Sequence, residues 1–406
     1  MLSSKSILLK QIDYLNLNNI ELTITYEYEK NINYINCKEK NNLNNIKEYI
    51  CNLRYWNIYR RLFNPLSLLN LLDEKKKNIG IYNNKILSRS FFKMIEIEKD
   101  YNIFYKYKDK NIKTTFIAEA PGGFIESFYK LRKDYKDKYY GISLIEKNKN
   151  IPNWNNLLNK KFDRLKLLYG YDNTGNIYKL INILNYINNI GENTCDIVTA
   201  DGGFDFTKDY DNQEYNFLKL FFCEIVLALK LQKLGGTFII KCFDLTHIIG
   251  IKLFYILSHL YETITITKLK TSRQTNSERY IICKNLKFIL NNDIMKRFYE
   301  LILKWDYNVI NFADLFSFDI NKNFLKKLEE YNNWFYMKQI KIYNIIFSID
   351  LNLNKSYIKM FIKQLIIKNI KKNISFCNYN DLEINNNSYI LNTHINFIIR
   401  KYFNLY

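Results

Sequence analysis

Between residues 114 and 283 short apolar runs rich in β-branched residues alternate with longer amphipathic stretches, and this alternation restricts the possible folds more than any other feature of the chain. The strand-like runs fall at 114–118, 139–144, 165–168, 196–200, 236–241, 264–268 and 279–283. Helix-like stretches at 124–132, 177–188, 214–231 and 245–260 lie between them. A period of two that repeatedly gives way to one of 3.6 predicts an α/β sheet with helices on both faces. In such sheets ligands bind outside the carboxyl ends of the strands. The twelve glycines run from Gly80 to Gly250, eleven of them from Gly122 onward. Glycine permits tight turns and close backbone approach, so the middle segment is expected to carry the site. The flanks have few turn signals and read as mainly helical extensions. Three segments are therefore expected: residues 1–85, 86–290 and 291–406.

The run Glu119-Ala120-Pro121-Gly122-Gly123-Phe124 joins an expected strand to an expected helix. Its glycines let a ligand approach the backbone, and the helix start offers free amides to a negative group. The chain has neither GxGxxG nor GxxxxGK[ST] at this position, which argues against a dinucleotide or a nucleoside triphosphate. S-adenosyl-L-methionine suits the turn, because its carboxylate and ribose need close approach without a pyrophosphate cradle. An ordinary βα turn is the alternative.

Three further segments put charge where strands end. Asp201 lies in Thr199-Ala200-Asp201-Gly202-Gly203-Phe204, Lys241 closes the apolar run Phe238-Ile239-Ile240, and Glu278 stands just before the last strand. A lysine ending an apolar strand is unusual, since lysine is seldom buried unless paired. Lys93 sits upstream on an expected helix, where a solvated surface lysine is the competing reading.

Lys and Arg outnumber Asp and Glu by 60 to 40, a formal net charge of +20 that favours a polyanionic partner. The bias toward Asn, Ile, Lys and Tyr is also what an AT-rich genome encodes. None of the seven cysteines forms a CxxC pair, and three histidines leave no zinc-ligand spacing, so no metal is expected. Reduced, mostly buried thiols and a structural or surface role for His247 and His259 follow. No apolar stretch reaches the ~18 residues of a membrane span, and the N-terminus lacks a secretory pattern. An intracellular, soluble protein is expected.

In this order and spacing EAPGGF, TADGGF, FIIKCF and SRQTNSERYIIC resemble the FtsJ/RrmJ-type ribose 2′-O-methyltransferases. The similarity is strongest to the Adrift-type branch, which includes cap-specific mRNA 2′-O-methyltransferases and relatives in large DNA viruses. It covers roughly residues 90 to 285. The resemblance implies a Rossmann-like methyltransferase sheet, S-adenosyl-L-methionine as cofactor, RNA (above all capped mRNA) as partner, and possible contact with other capping or transcription proteins. It also implies a Lys-Asp-Lys-Glu tetrad at Lys93, Asp201, Lys241 and Glu278. Cofactor contacts would come from Glu119, Ala120, Pro121, Gly122, Gly123, Phe124, Asp172, Asn176 and Asp201. The chain departs from the pattern where Gly141-Ile142-Ser143-Leu144 ends the second strand without a carboxylate, and where the next loop reads Asp172-Asn173-Thr174-Gly175-Asn176.

Enzymes of this fold that methylate exocyclic amines usually need an Asn/Asp-Pro-Pro-aromatic loop after the fourth strand. This chain has three prolines in all and Asp201-Gly202-Gly203-Phe204 there, which favours a hydroxyl acceptor. Lys241 could act as a neutral base or as a cation that orients the hydroxyl. An internal ribose of ribosomal or transfer RNA is the alternative substrate, and an inactive RNA-binding scaffold is the alternative class. A viral protein would work in the cytoplasm, in a viral factory or virion; a cellular one would work in the nucleus.

Overall fold

The computed structural model describes residues 6–9, 25–26, 35, 38–72, 77–146, 152–154, 162–203, 212–305 and 312–392. Phe204 of the TADGGF segment, His394 and Cys37 lie outside the described residues. The strands are β1 (Ser6–Leu9), β2 (Thr25–Tyr26), β3 (Lys113–Ile117), β4 (Lys138–Ile142), β5 (Leu165–Leu167), β6 (Cys195–Ala200), β7 (Gln232–Cys242), β8 (Tyr261–Thr267), β9 (Arg279–Leu286) and β10 (Phe312–Asp314). The helices are α1 (Lys38–Cys51), α2 (Trp56–Leu62), α3 (Ser90–Tyr101), α4 (Gly123–Leu131), α5 (Leu180–Ile190), α6 (Gln213–Leu231), α7 (Ile248–Leu260), α8 (Asn292–Lys304), α9 (Lys322–Leu351), α10 (Ser356–Tyr379) and α11 (Tyr389–Asn392).

Among the described residues eight strands make one mixed sheet in the order β1-β8-β9-β7-β6-β3-β4-β5. Strands β3 to β7 run parallel, whereas β9 is antiparallel to both β7 and β8. From β3 the chain adds β4 and β5 on one side, then returns to add β6 and β7 on the other. Right-handed crossovers of opposite travel put their helices on opposite faces. Adjacent residues of β3 record this. The Phe116 ring meets Phe128 of α4 at 5.0 Å, while the next residue back, Thr115, hydrogen-bonds Tyr186 of α5 on the other face. All six residues of β6 are buried, as a strand covered on both sides requires.

The N-terminal segment is not purely helical. Strand β1 pairs antiparallel with β8, Ser6 opposite Thr267, and so occupies the sheet edge, while β2 pairs with β10. Four residues of extended chain suffice for this, because pairing with β8 satisfies backbone groups that sequence periodicity in so short a run does not report. Strand β7 begins at Gln232, ahead of the expected 236, and Gly235 takes a positive φ of 74° beside a register shift against β6. The basic patch at 368–373 lies inside α10.

The chain divides into two compact units. The first comprises Met1–Cys37, Ile103–Lys268 and Glu278–Asn332; the second comprises Lys38–Asn102, Leu269–Ser277 and Asn333–Tyr406. The first contains the sheet. In the second, Tyr82, Phe91, Phe92 and Phe376 form an aromatic cluster, and Asn369 Nδ2 donates to Leu62 O at 2.8 Å. Its segment 269–277 is held on two sides: Glu96 of α3 accepts from the Lys270 and Thr271 amides at 2.7 and 2.9 Å, and Tyr343 of α9 donates to Thr275 O at 2.6 Å.

Five cysteines, Cys195, Cys223, Cys242, Cys283 and Cys377, are buried free thiols. Burial pushes Cys195 and Cys242 up to about 12, so both stay protonated. His247 caps α7 by accepting from the Ile249 amide, and His259 is buried against the Tyr255 carbonyl. Both roles are structural. No described helix is long and apolar enough to cross a membrane, and no described cluster of His, Cys, Asp or Glu could hold a metal.

Candidate active site

The EAPGGF turn follows β3 next to the point where strand order reverses. Ala118 adopts a left-handed φ of 54° and donates its N–H to Ile142 O at 2.7 Å, which ties the turn to the end of β4. A non-glycine residue in that conformation stores roughly 1–3 kcal/mol of strain, a cost that functional turns often carry. The Ala120–Pro121 bond is cis, and Gly122 at φ 109° opens α4. The N-cap, Gly122, has no side chain with which to cap α4, and the amides of a first helical turn are donors that suit an anion.

Glu119 is buried beneath this turn. Its Oε1 accepts from Thr199 of β6 at 2.8 Å, while Oε2 has no hydrogen-bond partner among the described residues. Burial, reinforced by the Asp201 charge, holds its carboxyl well above the ordinary 4.5. An orphaned buried acceptor beside uncapped helix amides fits an amino-acid head group, whose ammonium and carboxylate need those two partners. Phe124 is fully buried with its ring 6.2 Å from Tyr280, so its side chain packs in the core.

Parallel pairing of β6 with β7 puts Ala200 beside Ile240, and the next residues, Asp201 and Lys241, meet at the carboxyl ends. Lys241 Nζ donates to Asp201 O at 2.8 Å and stands 3.3 Å from Asp201 Oδ1. Tyr280, directly opposite Lys241 on β9, donates its hydroxyl to the same Oδ1 at 2.6 Å. Cross-strand partners share a face, which is why two residues 39 apart in sequence reach one carboxylate.

Glycines shape the space around this cluster. A Cβ on Gly203 would stand 2.8 Å from Lys241 Nζ, so its absence keeps the ammonium approachable. A Cβ on Gly202 would strike Glu224 Oε1 at 2.2 Å. Glu224 of α6 is wholly buried and accepts from the Gly202 amide at 3.2 Å. Neither Tyr280 nor Glu224 stood out in the sequence. The only sign was an acid inside the apolar run Phe221-Phe222-Cys223-Glu224-Ile225-Val226.

Glu278 is half-buried two residues before Tyr280, and its carbonyl accepts from the buried Lys268 Nζ at 2.8 Å. Lys93 is half-buried on α3, in the second unit, whereas Asp201, Lys241 and Glu278 belong to the first. Asp172 and Asn176 organise their own loop. The Asp172 carboxylate takes hydrogen bonds from Thr174 and Asn182 and a 2.7 Å ion pair from Lys179, which together lower its pKa; Asn176 Oδ1 accepts from the Tyr178 amide at 2.9 Å. Gly175 at φ 67° lets this loop press on the end of β4, where a Cβ would lie 1.9 Å from Ser143 O.

Residues 86–286, about half of the chain, match the FtsJ-like methyltransferase family. Cap-specific mRNA (nucleoside-2′-O-)-methyltransferase 1 of Trypanosoma brucei brucei is 31% identical over 169 residues, which are 41% of this chain and 45% of that protein. The proteins of the same name from Dictyostelium discoideum and Homo sapiens are 31% identical over 183 residues and 32% over 188, each 44% of this chain, and 24% and 22% of their own lengths. The chain thus spans less than half the length of each of these relatives.

Proposed function

Residues 86–286 form an FtsJ-like methyltransferase domain, and from that premise we propose that the chain transfers a methyl group from S-adenosyl-L-methionine to a ribose 2′-hydroxyl of RNA, at cap-proximal nucleotides of mRNA. One observation carries the reading. At the carboxyl end of β7 a lysine ammonium is fixed by Asp201 yet left approachable by Gly203. The relatives named above supply the preference for a cap.

When bound, S-adenosyl-L-methionine supplies a sulfonium methyl open to in-line displacement. Glu119 and the uncapped amides of α4 would hold its amino-acid end, with Ala120, Pro121, Gly122 and Gly123 forming the close wall. Asp172 and Asn176 act by shaping the loop that borders the β4 end.

The chain's main contribution to the chemistry is orientation, because holding the 2′-oxygen in line with the methyl carbon removes the entropy cost of bringing two reactants together. An ammonium has three donors, and Asp201 engages two of those on Lys241. The third is directed at the 2′-oxygen, which turns a hydroxyl lone pair toward the methyl carbon; the hydroxyl proton passes to water as the C–O bond forms, and the neutral thioether is the leaving group. Asp201, steadied by Tyr280, keeps that donor on target. Glu278 joins Asp201 and Lys241 on the family pattern, and the net charge of +20 draws the RNA.

The test is transfer of labelled methyl to matched capped and uncapped RNAs, with Lys241→Ala alongside. Capped-only, lysine-dependent labelling of a ribose is expected. Equal labelling of both RNAs would mean an internal-ribose enzyme, and near-normal turnover by Lys241→Ala would refute the mechanism.

A further inference from the structure

Glu224 is a buried acid to which the mechanism above gives no part. It lies on α6 with no solvent exposure, and one of its oxygens, Oε2, has no hydrogen-bond partner among the described residues. An acid so placed is costly, and in a helix face that merely packs, leucine would serve better. What Glu224 does hold is the Gly202 amide, at 3.2 Å.

That amide belongs to a tight spot. Gly202 is buried, and a Cβ there would meet Glu224 Oε1 at 2.2 Å, Leu220 Cδ2 at 2.9 Å and Ala118 Cβ at 3.0 Å. The peptide therefore lies directly on α6 and on the residue that leads into the EAPGGF turn. The preceding carbonyl, Asp201 O, is the oxygen that receives Lys241 Nζ at 2.8 Å. The Asp201 carbonyl and the Gly202 amide are the two ends of one peptide plane, so whatever fixes the second fixes the first.

We propose that Glu224 is a positioning residue: by accepting the Gly202 amide it locks the Asp201–Gly202 peptide plane and so sets the direction in which Lys241 presents its remaining donor. This rests on the reading that Lys241 acts on a hydroxyl. Burial pushes the Glu224 carboxyl well above its ordinary range, partly offset by Lys241, and glutamine keeps both its shape and an acceptor oxygen.

The experiment compares the full chain with Glu224→Gln and Glu224→Leu by methyl-transfer kinetics, thermal melting and hydrogen exchange of the peptide spanning residues 199–203. Glu224→Gln should stay within about twofold of wild type in kcat, since its acceptor remains. Glu224→Leu should melt within roughly 5 °C of wild type, lose about 10- to 100-fold in kcat with little change in KM, and exchange the Gly202 amide faster. Wild-type kcat and exchange in Glu224→Leu would overturn the proposal. So would an equal loss in both variants accompanied by a lowered Tm, the mark of a packing role. If the wild-type chain transfers no methyl, the proposed function fails by itself, and the exchange comparison still decides whether Glu224 holds the turn.

Discussion

Replacing Tyr280 by phenylalanine removes one hydroxyl and little else. The ring is fully buried, its 6.2 Å contact with Phe124 does not involve the oxygen, and the backbone pairs with Lys241 and Thr267 remain. The hydrogen bond lost is the 2.6 Å donation to Asp201 Oδ1. A hydrogen bond to a charged acceptor contributes about 1.5–3 kcal/mol, and for a domain of roughly 200 residues each kcal/mol shifts Tm by about 2–4 °C, so Tm should fall by roughly 3–12 °C. Asp201 keeps Lys241 at 3.3 Å but loses one of the partners that oppose its rotation. A misdirected Lys241 should then lower kcat by about 10- to 100-fold while KM for RNA and cofactor holds, because neither ligand is held by the tyrosine hydroxyl. Methyl-transfer kinetics and a melting curve on the same preparation suffice. Unchanged kcat together with unchanged Tm would show that the hydroxyl does not hold Asp201, and loss of cofactor binding would place Tyr280 in a different role.

Two other perturbations bear on the cofactor side. Gly175→Ala sets a methyl 1.9 Å from Ser143 O at a φ of 67°, so stability should drop by more than about 2 kcal/mol and S-adenosyl-L-methionine should bind more weakly, read by denaturant titration and calorimetry. Glu119 has a folded pKa raised above the ordinary 4.5, so its contribution to stability is present at low pH and is lost as pH rises through the raised value. Glu119→Gln keeps the acceptor for Thr199 but cannot ionise; its urea midpoint should therefore gain on wild type between about pH 4 and pH 8, and a gap that narrows instead would refute the assignment.

The middle of the chain was legible because its signals are local. Apolar periodicity located the parallel strands to within a few residues, and Pro121-Gly122-Gly123 announced a turn in which Gly122 takes a φ that only glycine adopts easily. Asp201 and Lys241 could be placed at strand ends because a polar residue closing an apolar run is itself a local pattern. Other parts of the site were not local. The loop at 172–176 showed polar residues without showing that they satisfy one another, which depends on Asn182 reaching back from α5. Likewise nothing in Ser6–Leu9 told that it would close the sheet edge against β8, because a four-residue strand draws its stability from a partner some 260 residues away.

By itself, then, the sequence determined where the parallel strands lie to within a few residues, which turn carries the paired glycines and which cation stands near a strand end, since all of these follow from neighbours along the chain. Only the tertiary structure decided what holds that cation in place. Tyr280 converges on Asp201 from an antiparallel strand, Glu224 grips the next peptide from a helix, and Glu119 is buried under the turn with one oxygen unanswered. The reason is physical: a hydrogen bond to a buried carboxyl has its strength from the exclusion of water around it, and that exclusion exists only once strands and helices have packed.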